Sequence, residues 1–166
     1  MRVKACLPVA ALAMAMALGV ALSVPAIADD HGDAAVERGR YLAKIAGCND
    51  CHTPGYPQAA GLVPESKWLT GDRLGWRGPW GTTYAGNLRL MAAEITEEQW
   101  LHLARNARYR PPMPWFVLRD MTDEDLVGIY RLLRHLGPAG EPAPDWVPPD
   151  QEPQGPYVLW PAPPQP

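Results

Sequence analysis

Two cysteines three residues apart and followed at once by a histidine, Cys48-Asn49-Asp50-Cys51-His52, constrain this chain more than any other feature. On a helical turn, positions 48, 51 and 52 stand at i, i+3 and i+4, so their side chains share one face. Two thiols so placed can bond the two vinyl groups of a haem, while the imidazole beside them reaches the iron from the same side. The pattern therefore reads as a covalent haem attachment site. Other uses of the pair fit less well. A thioredoxin-type redox pair needs a βαβ setting, which is missing here. A zinc site needs more ligands than His52 adds. A disulfide would close a very short loop and stabilise little.

The chain has 166 residues, enough for one domain with extensions. Arg2 and Lys4 precede an apolar run from Ala5 to Val24, and Ala26-Ile27-Ala28 stands before Asp29 and Asp30. This is the pattern of a secretory signal peptide over residues 1–28, cleaved before Asp29 and carrying Cys6 away with it. An uncleaved membrane anchor is the alternative, because the run is long enough to span a bilayer. Export to the periplasm follows as the expectation, with membrane association only through a partner or an uncleaved segment. Cleavage would remove two bases and no acid, leaving 13 basic against 18 acidic residues, a formal charge of −5. That balance argues against nucleic acid as a partner and points to a cationic or apolar docking surface rather than an acidic one.

Three helices are legible. The first is predicted over 34–46, where Val36, Gly39, Leu42, Ala43 and Ala46 form one stripe. Gly39 inside it implies the close approach of another backbone. The second begins after Thr96, with Gln99 completing a capping box and Trp100, Leu103, Ala104 and Ala107 facing inward. Arg110-Pro111-Pro112 stops it. The third begins after Thr122, with Leu126, Ile129, Tyr130 and Leu133 on one face, and ends at Gly137-Pro138. Between the first two lie some forty irregular residues, a length that usually marks function. From Gly137 onward, prolines are so frequent that neither helix nor sheet is predicted. Trp146, Tyr157, Val158, Leu159 and Trp160 are nonetheless poor residues for a solvated linker, so part of this tail is expected to lie on the domain or on a partner.

The order of helix, C-x-x-C-H, irregular loop, helix, proline-flanked methionine and final helix resembles the class I cytochrome c fold. More narrowly, three stretches resemble the cytochrome c subunits of bacterial membrane-bound alcohol and gluconate dehydrogenases: Gly78-Pro79-Trp80-Gly81-Thr82-Thr83-Tyr84-Ala85-Gly86-Asn87, Ile95-Thr96-Glu97-Glu98-Gln99-Trp100, and Pro112-Met113-Pro114-Trp115. Those subunits typically carry several haem domains, whereas this chain has one C-x-x-C-H. The resemblance implies an all-α domain over 29–136, with three or more short helices and long loops around one haem c, followed by a proline-rich tail over 137–166. It also implies that Met113 is the second axial ligand of iron opposite His52, and that Trp80 and Trp115 pack on the porphyrin.

Chemistry alone leaves the distal ligand open among Met91, Met113, Met121, His102 and His135. The prolines at 111, 112 and 114 favour Met113, because they hold the backbone in a fixed extended form. Arg73, Arg77 and Arg89 could meet propionates, although solvated arginines are the commoner case. No nucleophile–base pair stands in a recognisable context, so a non-enzymatic one-electron carrier is expected, working between a dehydrogenase and an oxidase or other cytochrome. A haem enzyme or sensor with an open distal position, and a mainly structural cytochrome subunit, are the competing expectations.

Overall fold

The computed structural model describes residues 30–161, with side chains from residue 34 onward. The apolar amino-terminal run, its cleavage site and Cys6 lie outside the described residues. Among those described, no helix is long and apolar enough to cross a membrane.

Among the described residues, six α-helices carry the domain: α1 Asp30–Ile45, α2 Cys48–His52, α3 Leu88–Glu94, α4 Glu97–Asn106, α5 Trp115–Asp120 and α6 Asp123–Leu136. The central packing is α1 against α6. It is set by two glycines. A Cβ on Gly39 would lie 2.0 Å from the carbonyl oxygen of Gly128 and 2.9 Å from Leu132 Cβ. The helices touch backbone to backbone at this point, as the glycine in the α1 stripe implied. Leu42, Ala43, Leu126, Ile129, Leu132 and Leu133 fill the layer around the crossing, and all are buried.

Polar groups fix the neighbouring helices to this pair. The Thr96–Gln99 capping box forms as expected, and α4 buries Trp100 and Ala104. Trp100 Nε1 donates to the carbonyl of Leu126 at 2.8 Å, and Tyr130 donates to that of Ile95 at 2.9 Å. Arg89, expected to be solvated, is instead buried. It donates to the carbonyls of Leu136 and Gly137, acceptors at the end of α6 without helical partners of their own, and to that of Ser66, tying α6 to the Glu65–Lys67 turn.

Arg38 on α1 donates to Asp125 in the first turn of α6 at 2.8 Å. The guanidinium holds this carboxyl below the ordinary aspartate value of 3.8. A depressed folded-state value means that the stabilisation is fully present above that ordinary value and is lost as pH falls through the folded one. Asp125→Asn should therefore lower the melting temperature slightly at neutral pH, and the difference from the parent should vanish in acid. A difference that persists at pH 2 would assign the effect to helix capping rather than to the pair.

The domain is not all-α. A three-stranded sheet of order β2-β1-β3 accompanies the helices. Strands β1 (Gly75–Gly78) and β2 (Gly81–Tyr84) form an antiparallel hairpin across Pro79-Trp80. β3 (Tyr157–Leu159) pairs with β1 in parallel. The hairpin escapes periodicity because each strand has only four residues, although Thr82-Thr83-Tyr84 has strand-forming side chains. The exclusion of sheet from the proline-rich tail also fails. Prolines flank β3 at 156 and 161 and leave its own three amides free to pair.

Candidate cofactor site

Gly47, with φ of 74°, turns the chain from α1 into α2 and presents one face of the Cys48–His52 turn to a cavity of about 390 Å³. Such a volume lies in the range of roughly 300–1,000 Å³ usual for cofactor pockets. Cys48, Cys51 and His52 all line it. Thr53 anchors the turn from behind. Its hydroxyl donates to Asn49 Oδ1 at 2.7 Å and accepts from the amide of Leu69 at 2.8 Å, and the His52 carbonyl accepts from Gly71 at 2.8 Å.

The imidazole of His52 is buried, and its Nδ1 lies 2.8 Å from the carbonyl of Gly86. A carbonyl can only accept, so Nδ1 carries the proton and Nε2 keeps its lone pair. Burial lowers the pKa of the ring below its ordinary 6.5, and the Gly86 bond opposes this. The ring is thus neutral and oriented, which is the state a metal ligand requires. Cys48 and Cys51 are free thiols. Burial pushes Cys48 up to about 11 and also raises Cys51, so both remain protonated at neutral pH.

The segment 109–121 supplies another stretch of wall, including Tyr109, Arg110, Met113 and Met121, while Met91 contributes from α3. The three methionines differ in setting. All three are half-buried, but Met91 and Met121 pack against the hydrophobic core, whereas Met113 lies outside that cluster. His102 and His135 are exposed and do not line the cavity.

The aromatic lining differs from the expected one. Trp76, Trp100 and Trp146 face the cavity, and Trp80 and Trp115 do not. Trp80 is taken up by the hairpin turn, where its Nε1 donates to Thr83 Oγ1 at 3.2 Å. Trp115 is covered by the guanidinium of Arg108, 4.2 Å from its ring centroid, with Arg119 at 5.6 Å. Trp100 was legible as an inward residue of α4. Trp146 was not, since it comes from the tail and no period marks it. The local charge also departs from the net charge. Among the described residues, Arg110, which lines the cavity, makes no ion pair, although the chain is acidic overall.

Over 135 residues the chain is 29% identical to the gluconate 2-dehydrogenase cytochrome c subunit of Pantoea cypripedii, a match to 74% of this chain and 28% of that protein. Over 136 residues it is 28% identical to the cytochrome c subunit of alcohol dehydrogenase (quinone) of Gluconobacter oxydans, a match to 75% of this chain and 26% of that one. The chain resembles dehydrogenase cytochrome c subunits. It spans about a quarter of the length of these relatives. No protein-family model matches it, and no solved structure matches it. The cavity fits the group carried by a cytochrome c subunit. It joins two protonated thiols, an imidazole with a free Nε2 lone pair and a mainly apolar wall.

Proposed function

We propose that the chain is a monohaem c-type cytochrome that carries single electrons and is not itself an enzyme. In this reading Cys48 and Cys51 would hold one haem c by thioether bonds, and His52 and Met113 would ligate its iron. The observation that carries the reading is the convergence of Cys48, Cys51, His52 and Met113 on one cavity. When bound, the haem iron supplies a reversible one-electron couple. The work of the chain is to orient His52 through Gly86, to hold Met113 in a proline-flanked segment, and to surround the group with apolar side chains that exclude water. With His52 and Met113 both committed to the iron, the chain would leave no open position for a substrate, and the chemistry supplied would be one-electron transfer alone.

The electron donor in this reading is a dehydrogenase, and the acceptor is an oxidase or another cytochrome. The amino-terminal apolar segment directs the chain to the periplasm. Support for the donor comes from the two relatives, each of which is the cytochrome c subunit of a dehydrogenase.

Haem should remain with the polypeptide through denaturation and acid–acetone extraction. Cys48→Ser together with Cys51→Ser should release all of it into the solvent phase. Quantitative extraction from the parent protein would remove the basis of the assignment. A near-infrared sulfur-to-iron band in the oxidised parent would support Met113 and oppose the competing reading with an open distal position.

A further inference from the structure

The proline-rich segment after α6 does not leave the domain. Asn87 Nδ2 donates to the carbonyls of Ala139 at 2.8 Å and Glu141 at 3.2 Å, which starts the chain back across the cavity side. Pro144 and Trp146 then line the cavity itself. Trp146 Nε1 donates to the carbonyl of Trp80 at 2.9 Å. Val147 and Thr82 exchange both backbone hydrogen bonds, at 2.8 and 3.0 Å. Gly81 makes room for this: a Cβ there would lie 2.3 Å from the Val147 carbonyl and 2.8 Å from Trp146 Nε1. Beyond it, Arg77 donates to the carbonyls of Gln151 and Pro149 and to Glu152. β3 then adds to the sheet, and Trp160 meets Trp76, another lining residue, edge to face at 6.1 Å.

The indole of Trp146 also lies under the guanidinium of Arg110, 4.1 Å from centroid to carbon. Arg110 lines the cavity and stands three residues before Met113. This one contact joins the tail to the methionine segment on the cavity rim.

We propose that Pro144 and Trp146, carried on a segment fastened to the domain along residues 137–160, are a fixed wall of the cofactor cavity, in which Trp146, held by Trp80 and Arg110, shields the bound haem from water and raises its reduction potential. The proposal rests on the reading that the cavity holds haem c. Its physical basis is dielectric. Water near the group favours the more highly charged oxidised form, and an indole in place of water favours the reduced one. Prolines suit the role, because a segment with few free φ angles loses little entropy when it is laid against the domain. Trp146 is thus a positioning and shielding residue and not a ligand.

The test uses the full-length holoprotein with Trp146→Ala, Trp146→Phe and Arg77→Gln. Measurements are the reduction potential, the rate at which potassium cyanide binds the oxidised protein, and the melting temperature. Trp146→Ala should lower the potential and speed cyanide binding. Trp146→Phe keeps an aromatic wall and should lie between alanine and parent. Arg77→Gln releases residues 149–152 without touching the cavity, and should move both readouts in the same direction by less. A brace with no shielding role would lower the melting temperature and leave potential and cyanide rate at parent values, and that result overturns the proposal. Should Trp146→Ala fail to fold, an unchanged potential and cyanide rate in Trp146→Phe and Arg77→Gln overturn it equally. Acid–acetone extraction of the parent reports separately on attachment, because the potentials are measured on bound haem beforehand.

Discussion

Gly39→Ala should destabilise the domain by about 2 kcal/mol, even though alanine is the better helix former. Replacing a helical glycine by alanine gains about 1 kcal/mol in propensity. Against this, the new Cβ would lie 2.0 Å from the Gly128 carbonyl oxygen. That oxygen belongs to the backbone of α6 and cannot swing aside as a side chain can. The helices must separate, which opens the layer of Leu42, Ala43, Leu132 and Leu133 that they share. Overpacking costs about 1–3 kcal/mol and sometimes more, and a 2.0 Å approach to rigid backbone stands at the upper end, so about 2 kcal/mol remains after the propensity gain. For a domain whose total stability is on the order of 5–15 kcal/mol, the net loss is large. Thermal unfolding followed by circular dichroism is the measurement. Gly128→Ala is the graded control, because its Cβ would stand 3.2 Å from the nearest backbone atoms, Ala35 O and Gly39 N, and a small shift relieves it. A melting temperature for Gly39→Ala at or above the parent value would mean that the α1–α6 crossing is looser than described.

The sequence announced this crossing because a glycine in an otherwise regular apolar stripe has few explanations. The caps of α4 and α6 were legible for a similar reason: Thr96 with Gln99, and Thr122 before an acidic turn, satisfy local amides with local side chains. The Cys48–His52 turn needed only spacing. What escaped was what local rules do not encode. The hairpin strands are too short to show a period, and β3 exists because a segment more than seventy residues away returns to β1. Arg89 gave no sign of burial, since its partners are carbonyls of Ser66, Leu136 and Gly137, and carbonyls carry no sequence signature. The same holds for the tryptophans. Trp100 could be read from its helix stripe, but Trp146 reaches the cavity only because the tail returns to Trp80 and Thr82, which no local pattern marks.

Met113→Ala should lower the reduction potential and open the iron to carbon monoxide and cyanide, with little loss of fold. The side chain is half-buried and stands outside the hydrophobic core, so its removal leaves the α1–α6 packing untouched. The prolines at 111, 112 and 114 keep their restricted backbone, and the amide of Trp115 still has the carbonyl of residue 113, at 2.9 Å in the parent, to close the turn into α5. Attachment through Cys48 and Cys51 does not depend on residue 113. The chemistry changes because a neutral thioether favours the reduced iron, and its loss shifts the balance toward the oxidised form. Met113→His separates the two effects. If the segment can bring the imidazole to the iron, that variant should resist carbon monoxide like the parent but show a low potential like the alanine variant. Met91 and Met121 serve as controls, since both line the same cavity while packing against the core. Their alanine variants should lose stability, by an amount toward the 2–5 kcal/mol usual for a fully buried methionine, and keep the parent spectrum. The measurements are a potentiometric titration and the near-infrared spectrum of each variant. A Met113→Ala protein with the parent potential and an intact sulfur-to-iron band would transfer the axial role to whichever of Met91 and Met121 abolishes that band when replaced.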